Sequence, residues 1–204
     1  MRKTLKYACE IIEKQGLDLA ILWSDLETFY LKMGFEKTGS EKRYILTDTK
    51  MNAKANIDRV RVLPTREINQ IRLKQLMRIR STTLVTLERT LDEFAKLLNI
   101  PETYTIITED QTKNICGYVI IGKGADLRGV IHEWGANNSE DMDSILKYIF
   151  WNTGMKQIIA LTSKDVSNSF FMQHSRQTEM THMGLAKIFN PEVRPLLDDL
   201  FIWG

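Results

Sequence analysis

The chain has 204 residues, of which 43% are hydrophobic, 26% charged and 9% aromatic; 28 basic residues against 26 acidic ones give a net charge of +2. This length suits one domain, or one domain plus part of another, and the composition is globular, which excludes a disordered or collagen-like chain. The balanced charge gives no global pull toward nucleic acid or membrane, no apolar run approaches the ~20 residues of a spanning helix, and Lys6, Glu10, Glu13 and Lys14 interrupt any signal-peptide core.

Over residues 4–15 the apolar positions Leu5, Ala8, Cys9, Ile11 and Ile12 fall on one helical face, and Gly16 ends the helix. Residues 19–23 form a short all-apolar run, the mark of a strand covered on both faces. Ser24 or Asp25 caps a second helix that stops at Met33-Gly34, and 42–46 reads as a strand. Residues 47–56 are polar and aperiodic, a linker. A second block starts near Ile57 with a strand that ends at Pro64, then helices over 65–80 and 82–99, the latter closed by Pro101. Strands follow at 104–108, 115–122 and 130–134, a helix at 139–152, a buried strand at 157–161, a short helix at 168–174 and a last strand at 184–189. The order predicts a mixed α/β layer rather than a bundle or a sandwich. Cys9 and Cys116, the only cysteines, read as small buried thiols of a reducing, cytoplasmic protein, and no cluster with metal-ligand spacing occurs.

The chain echoes itself. Thr4-Leu5-Lys6-Tyr7, Gly16, Leu19-Ala20-Ile21-Leu22 and Phe29-Tyr30 form one series; Ile145-Leu146-Lys147-Tyr148, Gly154, Ile158-Ile159-Ala160-Leu161 and Phe170-Phe171 form the other. Each gives helix, glycine turn, buried strand and short helix with an aromatic pair, which predicts a duplicated unit.

Phe29-Tyr30-Leu31-Lys32-Met33-Gly34-Phe35 resembles the FYxKxGF segment of the GNAT N-acetyltransferase superfamily, and the helix–strand–motif–strand order of residues 2–46 matches that superfamily's second half. The resemblance implies an N-acetyltransferase, or a truncated part of one, that moves an acetyl group from acetyl-CoA to a small-molecule or peptide amine. In that role Tyr30 protonates the departing thiolate, which suits a phenol of pKa about 10 facing a thiol of about 8.5. Arg2, Lys3 and Ser24 are the implied cofactor contacts. A half-buried aromatic with a hydrogen-bonded tip is the structural alternative for Tyr30. The superfamily grips the coenzyme A pyrophosphate with a Gly-rich loop before this helix. No such loop precedes Arg2 here, so the resemblance implies the C-terminal half of a GNAT domain over 1–50 and a second, degenerate GNAT-like domain over 51–204, α/β with a mixed sheet flanked by helices. An N-terminal half of that kind is expected to dock on the second block or to order poorly, because the apolar strand at 19–23 would lack a neighbour.

The second block's version of the site looks dismantled. Phe171 stands where Tyr30 stands in the echo, and Glu140, Asp141 and Asp143 open the helix where a pyrophosphate would sit. His132-Glu133-Trp134 lies at a strand end; Glu133 is a candidate general base, against the reading of a strand end whose polar groups satisfy neighbouring backbone. The basic stretch Arg59, Arg61, Arg66, Arg72, Lys74, Arg78 and Arg80 has no interleaved aromatics and reads as a solvated helix face or an interdomain contact in preference to a nucleic-acid surface. The alternative to the enzyme is a catalytically inert GNAT-like module for binding or dimerisation, with a homo-oligomer as its partner.

Overall fold

The computed structural model describes residues 2–48, 55–80, 87–125, 127–163 and 169–200. Its elements in chain order are α1 (Arg2–Lys14), β1 (Leu19–Leu22), α2 (Glu27–Leu31), β2 (Glu36–Leu46), β3 (Val60–Val62), α3 (Gln70–Ile79), α4 (Leu91–Leu98), β4 (Tyr104–Glu109), β5 (Ile115–Ile121), β6 (Val130–Ala136), α5 (Ser139–Thr153), β7 (Ile158–Ser163), α6 (Ser169–Met172) and β8 (Ser175–Ile188), with a 3-10 segment at Pro191–Asp199. All eight strands join one sheet in the order β1-β8-β2-β7-β6-β5-β4-β3.

The meander β3 to β6 is antiparallel, and its alternation sorts side chains to two cores. Val119 and Ile121 of β5 join Ile131, Ile145 and Ile149 beneath α5, whereas Tyr118 and Ile120 join Leu73, Leu76 and Phe94 beneath α3 and α4. Burying each of these aliphatic side chains contributes roughly 2 kcal/mol, which fixes the register of the meander, since a one-residue slip would exchange the two faces.

β6 and β7 are parallel, and they pair only at Val130↔Ile159 and Ile131↔Ala160 before they part. One residue further on, β6 bulges. Ile120 faces Glu133 and Ile121 faces Ile131, which leaves His132 as the extra residue.

The internal echo is structural. α1-β1-α2-β2 and α5-β7-α6-β8 repeat one unit, and both glycine turns use a left-handed residue, Gly16 at φ 70° and Gly154 at φ 64°. The units are interlocked. β2 lies between β7 and β8, and β8 lies between β1 and β2, so each unit lends its last strand to the other. The equivalence extends to side chains: Phe171 packs on Tyr44 at 6.1 Å between ring centroids, and its counterpart Tyr30 shares a cluster with Leu185.

The elements depart from the sequence expectation in four places. β2 runs over eleven residues where a strand was expected at 42–46 alone, and β8 over fourteen where 184–189 was expected. The helix expected over 65–80 begins only at Gln70, because the Asn69 side chain accepts from Arg72 N at 3.0 Å and a 3-10 turn occupies Thr65–Glu67. α4 starts at Leu91, set by a capping box between Thr90 and Glu93; residues 81–86 of the helix expected over 82–99 lie outside the described residues. The N-terminal segment docks: β1 pairs with β8 over Leu19↔Ile188 to Leu22↔Leu185 and ends the sheet.

Candidate functional site

The first unit gathers most of the sequence candidates at one end. The turn at Gly16 folds β1 back along α1, so the start of the helix and the end of the strand lie together. Arg2 sits 6.0 Å from the Phe29 ring centroid, and Phe29 meets Tyr30 edge-on at 5.1 Å. Tyr30 meets Phe35 edge-on at 5.6 Å, and its carbonyl accepts from Phe35 N at 3.1 Å across the turn at Gly34, whose φ is 83°. Tyr30 is half-buried, and its hydroxyl has no hydrogen-bond partner among the described residues. The Ser24 hydroxyl accepts from Leu26 N at 3.1 Å where β1 hands over to α2. Lys3 is exposed in the first turn of α1.

Glu133 stands apart from this group. It is buried on the α3/α4 face of β6, and both carboxylate oxygens are engaged: Tyr118 donates to Oε1 at 3.0 Å and Arg89 to Oε2 at 2.7 Å. Burial first, and then the Glu133 carboxylate, push the Tyr118 phenol well above its ordinary value. His132 beside it donates from Nε2 to the Gly122 carbonyl at 2.9 Å, and burial pushes its pKa down to about 4. The imidazole is therefore neutral at pH 7.

The corresponding region of the second unit is filled. Trp134, on the part of β6 beyond its pairing with β7, packs edge-on against Phe171 at 5.0 Å and Phe170 at 6.0 Å, and Tyr44 closes the cluster from β2. The start of α5 is committed internally. Asn138 caps it by accepting from Asp141 N at 2.9 Å, Arg59 pairs with Asp141 at 3.3 Å, and Asp143 meets His174 at 2.5 Å. Burial raises the Asp141 pKa against the pull of Arg59. At the other end of α5 lies a cavity of about 590 Å³ with apolar walls including Ile106, Ile121, Tyr148 and Met155.

Four members of the basic stretch, Arg59, Arg61, Arg72 and Arg80, brace the second block from within, whereas Arg66, Lys74 and Arg78 are exposed. Arg61 reaches Glu109 at 2.9 Å and Glu67 at 2.8 Å, Arg72 reaches Glu109 at 2.7 Å, and Arg80 approaches Glu133 at 3.6 Å. Burial pushes the Glu109 carboxyl up, but the bonds from Arg61 and Arg72 outweigh it and hold the group below its ordinary value. Sequence reasoning did not find the partnership of Glu133 with Arg89, Arg80 and Tyr118, and nothing in the spacing of residues 80, 89, 118 and 133 signals it. Among the described residues no set of three or more His, Cys, Asp or Glu converges as a metal site, and no helix is long and apolar enough to cross a membrane.

No family model matches the chain, and no curated protein matches it in sequence. Solved structures do match in fold. A conserved protein of unknown function from Enterococcus faecalis V583, described as a probable N-acyltransferase, superposes with a TM-score of 0.62 at 14% identity over 92% of this chain and 49% of that one. A GCN5-related N-acetyltransferase from Anabaena variabilis gives 0.60 at 15% identity over 93% and 50%. A tandem GNAT protein from the clavulanic acid biosynthesis pathway gives 0.54 at 10% identity over 93% and 70%. The chain thus spans about half the length of the first two. At these identities the likeness is one of fold, and the fold is that of the GCN5-related N-acetyltransferases.

Proposed function

Starting from the GCN5-related N-acetyltransferase fold that the chain carries, we propose that its first unit serves acetyl transfer from acetyl-CoA to an amine, with Tyr30 as the proton donor to the leaving thiolate. One observation carries the reading: Tyr30 presents a half-buried hydroxyl without a partner among the described residues, in an FYxKxGF turn, at the end of the unit where Arg2 and Ser24 also lie. A phenol held by packing on Phe29 and Phe35 keeps its position without using its proton, which leaves that proton for transfer. Arg2 supplies a cation for a phosphate. Lys3, one residue on in the same first turn, adds a second.

The test is acetyl-CoA binding by calorimetry together with acetyl transfer to a panel of amines. The expected outcome is binding that weakens about tenfold in Arg2→Ala, and turnover that falls about a hundredfold in Tyr30→Phe with cofactor binding retained. Absence of binding by the intact chain would overturn the reading.

A second reading rests on a separate observation. The aromatic cluster of Trp134, Phe170, Phe171 and Tyr44 fills the second unit where β6 and β7 part, and the start of α5 carries its own carboxylates. We therefore propose that residues 51–204 form a non-catalytic GNAT-like module, one that shapes the acceptor side or a contact between copies.

A further inference from the structure

The side chains around Glu133 do not balance. Arg89 donates to its Oε2 at 2.7 Å, and Arg80 Nε stands 3.6 Å from the same oxygen, too far for a hydrogen bond. Only 8% of the Arg89 side chain and 11% of the Arg80 side chain is exposed, so both guanidiniums are largely out of water. Arg80 Nη1 donates to the Leu87 carbonyl at 3.2 Å, but Nε is buried with no acceptor among the described residues. Lys123, in the loop between β5 and β6, is a third cation; among the described residues the charged groups that act on it are Arg89 and Glu133. Burial first, then Arg89, lowers its pKa while Glu133 opposes. His132 beside them stays neutral, and its Nδ1 is buried without a partner among the described residues. Residues 81–86, which join Arg80 to the Leu87 segment in sequence, are Ser-Thr-Thr-Leu-Val-Thr and carry no acid.

Among the described residues, three cations thus share one carboxylate, two of them largely buried and Lys123 half-exposed. Unpaired buried charge and an orphaned donor are both costly, and a bound anion relieves both. We infer that the cluster of Arg80, Arg89 and Lys123 around Glu133 is an anion site, which takes the carboxylate or phosphate group of a small ligand. Glu133 holds Arg89 as a fixed wall, while Arg80 Nε and the half-exposed Lys123 ammonium supply the free donors. The site lies on the opposite face of the sheet from α5, and it does not depend on the acetyl-transfer reading.

The three histidines make a local reporter, because only His132 adjoins the cluster. Inorganic phosphate and acetate are titrated separately into the intact chain at pH 7.5 and constant ionic strength, and the histidine ring signals are followed by NMR. The expected result is a saturable shift at His132 with His174 and His182 unmoved, and about tenfold weaker binding in Lys123→Gln, a half-exposed position that leaves the fold intact. Arg80→Gln should abolish the shift. Tighter saturation by phosphate assigns a phosphorylated ligand, and by acetate a carboxylate. No saturable shift with either anion, equal shifts at all three histidines, or unchanged affinity in Lys123→Gln would overturn the inference.

Discussion

His132 shows how a single bulged residue couples a strand to pH. The extra residue in β6 turns its ring inward, where it is 1% exposed and bonded to the Gly122 carbonyl. Burial lowers its pKa from the ordinary 6.5 to about 4. Between those values the unfolded chain binds the proton and the folded chain does not. Stability from this group is therefore full above pH 6.5 and is lost progressively as pH falls toward 4, with a total of about 3 kcal/mol. Urea denaturation of the wild type and of His132→Gln across pH 4 to 7 checks this: their difference should shrink steadily as pH falls. Glycine 135 carries a different constraint. A Cβ there would stand 1.9 Å from the Ile79 carbonyl oxygen, so the end of α3 rests directly on the β6 backbone. Gly135→Ala should cost about 3 kcal/mol or prevent folding, and the urea midpoint reads it. The Phe29–Tyr30–Gly34–Phe35 turn was legible in the sequence because glycine and aromatics at fixed spacing dictate it locally. The Glu133 cluster was not, since its four members come from four separate segments.

At the level of elements, legibility followed how each one earns its stability. α5 matches its expected range almost to the residue because Asn138 caps it, Gly154 ends it and its apolar face is continuous. α4 is fixed by local chemistry as well: Thr90 accepts from Glu93 N at 3.2 Å, while the Glu93 carboxylate accepts from Thr90 N at 2.8 Å. Thr90→Ala should lower the unfolding free energy by about 1 kcal/mol in urea titration, since one helix-start donor loses its acceptor. β2 and β8 were underestimated for the converse reason. Their polar stretches, such as Glu36-Lys37-Thr38 and Gln177-Thr178-Glu179, carry no hydrophobic period. What makes them strands is mutual backbone pairing from Glu36↔Ala186 onward, which no local pattern encodes.

Over the whole molecule, the sheet order decides how the halves depend on each other. A helix–strand–helix–strand unit with its own closed sheet could open alone. Here β2 is clamped between β7 and β8, and β8 between β1 and β2, so removal of either unit strips hydrogen bonds from both sides of the other's last strand. Hydrogen exchange should show the amides of β2 and β8 opening with one common free energy, in a single cooperative step. A lower free energy at β2 alone would mean that the first unit peels away. The duplication itself was visible in sequence as repeated Leu-Lys-Tyr, glycine and aromatic pairs; the exchange of strands was not, because it is a relation between residues about 140 positions apart. Covalent continuity then matters less than its place in the sequence suggests. A chain severed between residues 48 and 55 would present two fragments that each lack a middle strand and each hold the one the other needs. They would behave as complementary pieces that assemble only together, the way a split reporter regains its fold when its halves meet.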